Sequence, residues 1–248
     1  LVGSEMCIRD RYIIRGEETL RDGIDVHPQE LYEYAKATGK LCKTAAVNVS
    51  DYLAYFAACR EEYDAVIHFT ISSDMSACYQ NACIAAREFT NVYPVDSRNL
   101  STGIGHLVLN AAEMAEQGMD AADIAAALEK KREKLDVSFV IDTLEYLKRG
   151  GRCSALVAMS ANLLHLKPCI EVKDGKMGVG RKYRGKLEKC YVQYIEDRLK
   201  GRDDIDCHRI FITDSGIDEA TWRELERVVR ACLSLIHISE PTRQAEIS

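Results

Sequence analysis

Ser72-Ser73-Asp74-Met75-Ser76 places three hydroxyls within five residues, between the apolar β-branched run Asp64–Ile71 and an alanine-rich segment that begins at Ala77. Hydroxyls grouped in this way can face one anion. Backbone N–H groups at the start of the following helix add positive potential, which suits a carboxylate or a phosphate. The plainer reading is that the serines only cap that helix, since Ser is a preferred cap. The residues by themselves divide evenly between the two. A serine nucleophile would also need a base, and His27, His68, His106, His165 and His208 stand in no triad-like arrangement. His68 lies in an apolar strand pattern and His165 in an apolar helix pattern, where a core or edge histidine is the commoner outcome. Gly-x-Ser-x-Gly is absent, and Gly103-Ile104-Gly105 is only a fragment of a dinucleotide loop. No catalytic residue is therefore assigned.

Two basic clusters could also meet an anion. Arg149-Gly150-Gly151-Arg152 sets two cations around a flexible turn, where a helix C-cap is the plainer role. Arg181-Lys182-Tyr183-Arg184-Gly185-Lys186 is either a solvated face or, through Arg184, a carboxylate holder. The ten cysteines contain no Cys-x-x-Cys, so neither zinc nor a disulfide framework is expected, and most read as small buried apolar residues. No metal and no cofactor is expected.

The elements that must position these residues alternate. Tyr12-Ile13-Ile14, a turn at Arg15-Gly16-Glu17-Glu18, and Leu20 to Val26 read as an edge hairpin or a loop. Pro28 opens a helix that ends near Gly39, and Asn48 or Ser50 opens a second from about Val49 to Arg60. Strand Asp64–Ile71, the serine loop and helix Ala77–Glu88 form a βα unit. Strand Val92–Asp96, a polar loop Ser97–Gly105, and helices His106–Gln117 and Asp120–Lys134 follow. Such alternation implies a mostly parallel sheet covered by helices. In an open sheet of that kind the crevice outside the strand carboxyl ends takes ligands, which is where the serine loop falls.

Beyond it, Asp136–Ile141 reads as a strand, Thr143–Arg149 as a short helix, and Ser154–Leu166 as an apolar helix ending before Lys167-Pro168. Cys169–Val172 and Met177–Val179 form a hairpin around Asp174-Gly175. Arg184 then leads a helix to Leu199, His208–Thr213 is a strand, and Ile217–Cys232 is a final amphipathic helix. Two α/β domains are expected, 12–135 and 136–232.

The 248 residues carry a net charge of −6 with acids and bases interleaved, which gives no support to nucleic-acid or anionic-membrane binding. No run approaches the roughly 20 apolar residues that span a bilayer, so the expected compartment is the cytoplasm. Both ends are set aside. Glu5-Met6-Cys7-Ile8-Arg9-Asp10 and Leu233-Ser234-Leu235-Ile236-His237-Ile238 can be encoded by two complementary DNA strings, and they resemble a translated sequencing adapter. Residues 1–11 and 233–248 are accordingly expected to be non-native, with both domains incomplete.

Asp142-Thr143-Leu144-Glu145-Tyr146-Leu147-Lys148-Arg149-Gly150-Gly151-Arg152 resembles the signature segment of the DegV family. In order along the chain, Asp22-Gly23-Ile24, Ile71-Ser72-Ser73 with Ser76 and Tyr79-Gln80, Asp96-Ser97 with Gly103-Ile104-Gly105, Lys167-Pro168, Asp174-Gly175-Lys176 and Arg184-Gly185-Lys186 support the likeness. The resemblance implies a two-domain α/β protein that holds a long-chain fatty acid between its domains, without catalysis. It further implies a fatty acid kinase subunit as partner, to which the acid is presented for acyl-phosphate formation. By position, Thr44 matches a hydroxyl of the family's first loop, and Ser72, Ser73 and Ser76 match its second. These residues, with Arg184, are the implied carboxylate contacts, whereas Asp142, Arg149, Gly150, Gly151 and Arg152 carry a structural signature. Two departures stand out: Thr44-Ala45-Ala46-Val47-Asn48 lacks the family's second hydroxyl and proline, and Met75-Ser76-Ala77-Cys78-Tyr79 replaces Leu-Ser-Gly-Thr-Tyr. A serine-loop hydrolase or phosphotransferase is the alternative.

Overall fold

A computed structural model describes residues 11–21, 24–144, 147, 150–151, 166–233 and 244–245. The chain divides into two compact units, Leu1–Val137 with Val172–Lys176, and Ser138–Glu171 with Met177–Ser248.

In the first unit, β1 (Arg11–Arg15) is flanked by β2 (Glu18–Arg21) and β3 (Lys43–Ala46), both antiparallel to it. Gly16 takes the positive φ that the tight turn between β1 and β2 needs. Thr44, expected in a loop, lies instead within β3 opposite Ile13, because a β1 edge with unpaired backbone groups captures the segment. Between β2 and β3 runs α1 (Pro28–Thr38). It is opened by Pro at its first position and a His27–Glu30 capping box, and closed by Gly39 in the left-handed region. α2 (Val49–Glu62) is capped by Asn48, whose side chain accepts from Asp51 N.

β4 (Val66–Thr70) and β5 (Val92–Asp96) pair in parallel, Thr70 opposite Asp96. Alternate residues face opposite layers. On one side His68 meets Tyr52 and Phe56 of α2, which cluster with Ala82 and Ala85 of α3 (Cys78–Ala86); on the other Ile67, Phe69 and Val95 pack on α4 (Thr102–Glu116) and α5 (Ala121–Lys131) with Leu107, Ile124 and Leu128. α4 starts four residues before the expected His106, so Gly103 and Gly105 belong to its first turns rather than to a loop. A Cβ on Gly103 would come within 2.4 Å of Asn99 Oδ1, so glycine is what lets the helix begin against that loop.

Burial pulls the His68 imidazole down to about 4. An unfolded histidine titrates near 6.5, so the unfolded state takes up the proton first as pH falls. The stability linked to neutral His68 is therefore fully present above about pH 6.5 and is lost as pH drops toward 4. Its size is on the order of 3 kcal/mol. Urea midpoints measured at pH 7 and at pH 4.5 should fall by more in the wild-type chain than in His68→Phe; equal falls would remove His68 as the cause.

The second unit contains most of the sheet β6 (Val137–Val140), β7 (Leu166–Lys173), β8 (Lys176–Arg184), in that spatial order. Asp174 and Gly175 both take positive φ at the β7–β8 turn, as a two-residue Asp-Gly turn requires. Leu166, expected to end a helix, opens β7. Pro168 donates nothing to the ladder but accepts from Ile141 N at 3.3 Å, so proline is tolerated there. The rest of the expected helix, and His165, lie outside the described residues. Arg184 ends β8 instead of leading a helix; α6 (Leu187–Leu199) starts after Gly185, whose positive φ turns the chain.

α6 packs on α7 (Glu219–Leu233) through Ile195, Leu225, Val228 and Val229. The strand expected over His208–Thr213 is reduced to β9 (Thr213–Asp214). A strand exists only where its backbone finds a ladder, and among the described residues β10 (Gln244–Ala245), parallel to β9, reaches only that far. Described cysteines are free thiols; Cys78, Cys169 and Cys190 are buried, and the other five are half-buried rather than core. Among the described residues no helix is long and apolar enough to cross a membrane.

Candidate functional site

Two loops leave the carboxyl ends of β4 and β5 side by side. Ser72 N donates to Asn99 O at 2.9 Å, and Ser97 N donates to Thr70 O at 3.3 Å. Within the second loop, Ser97 Oγ donates to Asn99 O and accepts from Asn99 N. Thr70, Ser72, Asp96, Ser97 and Asn99 are buried polar residues, gathered at one end of an otherwise apolar layer. Such a concentration costs stability unless each group is bonded, and here most are.

The three serines of the first loop have different occupations. Ser72 is fully buried; its Oγ donates to Gly175 O at 2.6 Å and accepts from Asp74 N at 3.3 Å. Ser73 is exposed; its Oγ donates to Asp96 Oδ2 at 2.6 Å and its backbone N–H donates to Asp96 Oδ1 at 3.1 Å. Ser76 is half-buried; its Oγ accepts from Cys78 N at 3.3 Å and lies 3.1 Å from Cys78 Sγ, so it serves the start of α3. Neither hydroxyl partner of Ser73 or Ser76 is a histidine.

Gly175, in the first unit, completes the seat of the loop. Around it Asp74 sits 3.5 Å from Arg98 Nη2 and 3.4 Å from Lys176 Nζ, and Arg98 also donates to Asp174 O. Arg98 adopts a positive φ of 49°, uncommon for a non-glycine residue, with its N–H donating to Asp96 Oδ1 at 2.9 Å. Asp96 thus accepts from two backbone N–H groups and one hydroxyl, which fixes its carboxylate.

Thr44 is exposed on β3. Val47, just past the end of that strand, accepts from Asn81 Nδ2 of α3 at 2.7 Å, which ties the strand to the helix that Ser76 precedes. Arg184 is exposed at the end of β8 in the second unit and joins none of these bonds. Of the signature segment, Asp142 is exposed and paired with Lys167, and Gly151 takes a positive φ of 71°. Gly150 is exposed, and Arg149 and Arg152 lie outside the described residues.

A family model described as an uncharacterised protein of the DegV family matches residues 10–241. The chain belongs to the DegV family. That match begins before residue 12 and runs past residue 232, the limits expected from the sequence. A DegV domain-containing protein of Clostridium perfringens is 31% identical over 185 residues, 73% of this chain and 66% of that protein. The chain spans about two thirds of the length of the curated DegV relatives it matches, at 66%, 65% and 62%. Among solved structures, a DegV family protein from Thermus thermophilus described by its fatty acid binding superposes with a TM-score of 0.77 at 28% identity, covering 95% of this chain and 83% of that one. A stearic acid-binding protein from Eubacterium ventriosum does so at 0.77 and 26%, covering 92% and 80%. The α/β DegV fold is therefore that of this chain.

Asp96 and Gly175 were not among the side chains expected to form the site. Asp96 carries a local signal, an acid ending a strand beside the crevice. Gly175 carries none, because its partner Ser72 is 103 residues away.

Proposed function

We propose that this chain is a non-catalytic carrier of a long-chain fatty acid, whose head group is received at Ser73 with Thr44 and Ser76 as neighbouring hydroxyls and Ser72 holding the loop in shape. The observation that carries the reading is an exposed serine seated at the carboxyl end of a parallel strand pair, in a DegV chain whose solved relatives include fatty-acid binders. Arg184 has no part in this head-group assignment. Presentation of the bound acid to a fatty acid kinase, which would join a phosphoryl group to the carboxyl, belongs to the same proposal, as does a cytoplasmic location.

Native mass spectrometry after bacterial expression should show the protein carrying acyl chains of defined mass. Ser73→Ala should bind palmitate about twofold to tenfold more weakly, the loss expected for one neutral hydrogen bond of about 0.5–1.5 kcal/mol. Protein free of acyl chains that also fails to bind added palmitate would sink the carrier reading. The 2.6 Å contact of Ser73 with a carboxylate gives a serine hydrolase or phosphotransferase some support. Turnover of an acyl or phosphoryl ester that is abolished by Ser73→Ala would favour the enzyme.

A further inference from the structure

Both hydrogen-bond donors of Ser73 are spent on one group. Its N–H reaches Asp96 Oδ1 at 3.1 Å and its O–H reaches Oδ2 at 2.6 Å, while Asp96 is only 5% exposed and Ser73 is exposed. An ionised carboxylate can only accept, so the hydroxyl hydrogen must point inward to Asp96. What Ser73 turns outward is a pair of oxygen lone pairs, with a fixed negative charge behind them. An incoming carboxylate would meet acceptor against acceptor and charge against charge. A carboxylic acid would donate its own hydrogen to Ser73 Oγ. Like charges sharing a site keep one proton between them, for the same reason that paired acids do elsewhere.

From this geometry we infer that Asp96 is a positioning residue that makes Ser73 an acceptor, so that the head group at this site is bound as the protonated carboxylic acid. The inference rests on the fatty-acid reading and specifies the state of the ligand. Among the described residues the Asp96 carboxylate accepts from Ser73 and from the Arg98 backbone N–H, and no cationic side chain is hydrogen-bonded to it. Arg98 and Lys176 flank Asp74, Arg98 also serves Asp174 O, and Arg132 Nη1 donates to Asp96 O at 2.8 Å. From α3, the Tyr79 phenol interacts with Asp96. Burial, and then its hydrogen bond to Cys83, push the phenol up to about 12, so it stays neutral.

The test is the carboxyl ¹³C resonance of [1-¹³C]palmitate bound to the full chain, followed between about pH 5 and pH 9. The bound acid should titrate with a midpoint at least one unit above that of the same acid in Asp96→Asn. In that variant the amide can donate to Ser73 Oγ and release the hydroxyl hydrogen toward the ligand, a change of about tenfold in the ionisation equilibrium. A bound resonance that stays at the ionised position throughout in the wild-type chain overturns the inference, whether or not the variant folds. Equal midpoints in the two proteins overturn it as well. Absence of any bound resonance overturns the fatty-acid reading and the inference with it.

Discussion

Gly175→Ala is expected to lower the unfolding free energy by about 3 kcal/mol and to abolish ordered binding at the serine loop. A Cβ built on Gly175 would lie 2.7 Å from Ser72 Oγ, 2.9 Å from Asp74 Oδ2 and 3.2 Å from Arg98 Cζ, at a backbone φ of 79°. Left-handed backbone costs a side-chain-bearing residue roughly 1–2 kcal/mol. Displacing Ser72 adds about 1–3 kcal/mol, because a fully buried hydroxyl then loses its acceptor. Gly118 separates the two contributions. It has φ of 82° with nothing within 4 Å of the built Cβ, so Gly118→Ala should lose only the backbone part and bind normally. Urea unfolding and palmitate binding of both variants check this. Equal losses would mean that contact with the Ser72 loop contributes nothing.

Phe56→Ala should cost about 3–5 kcal/mol, the range for deleting a buried aromatic. Phe56 is 0% exposed at the centre of the layer beneath β4, with ring centroids 5.6 Å from Tyr52, 5.3 Å from His68 and 6.1 Å from Phe89. These neighbours come from α2, β4 and the segment after α3, so they cannot collapse into the space together. Chemical denaturation at pH 7 gives the measurement; a loss under about 1.5 kcal/mol would show that the layer repacks as small volume changes do. With the full loss, the cavity stays open beside His68 and can admit water, and the acid window of His68 should narrow.

Gly175 holds the serine loop and Phe56 the layer beneath β4, so both predictions are read first through stability. Ser73→Ala also takes a donor from the buried Asp96 carboxylate, about 1–3 kcal/mol, so its stability should be measured beside its binding. The division of labour follows from burial. Ser72 is sealed and committed to Gly175, Ser76 serves the first turn of α3, and Ser73 alone combines a fixed orientation with access from outside.

Features encoded by adjacent residues were determined by the sequence by itself. Pro28 and Gly39 bound α1, Asn48 caps α2, the β4–loop–α3–β5 order follows from periodicity, and Asp174-Gly175 makes its turn because only such residues accept two positive φ values. The segment 142–152 identified the family without any fold, since its likeness is a property of residue order. Tertiary structure alone decided whatever depends on a distant partner. Thr44 became a strand residue because β1 offered an edge, α4 began at Thr102 because Gly103 could approach Asn99, and the strand expected over His208–Thr213 shrank to Thr213–Asp214 because among the described residues its ladder covers two residues. The serine loop shows the same limit at the site. Its hydroxyls were visible from the start, but which of them caps, which locks and which faces outward was settled by Cys78, Gly175 and Asp96. Hydrogen bonds choose partners by position in space, and two of those three partners lie 23 and 103 residues along the chain.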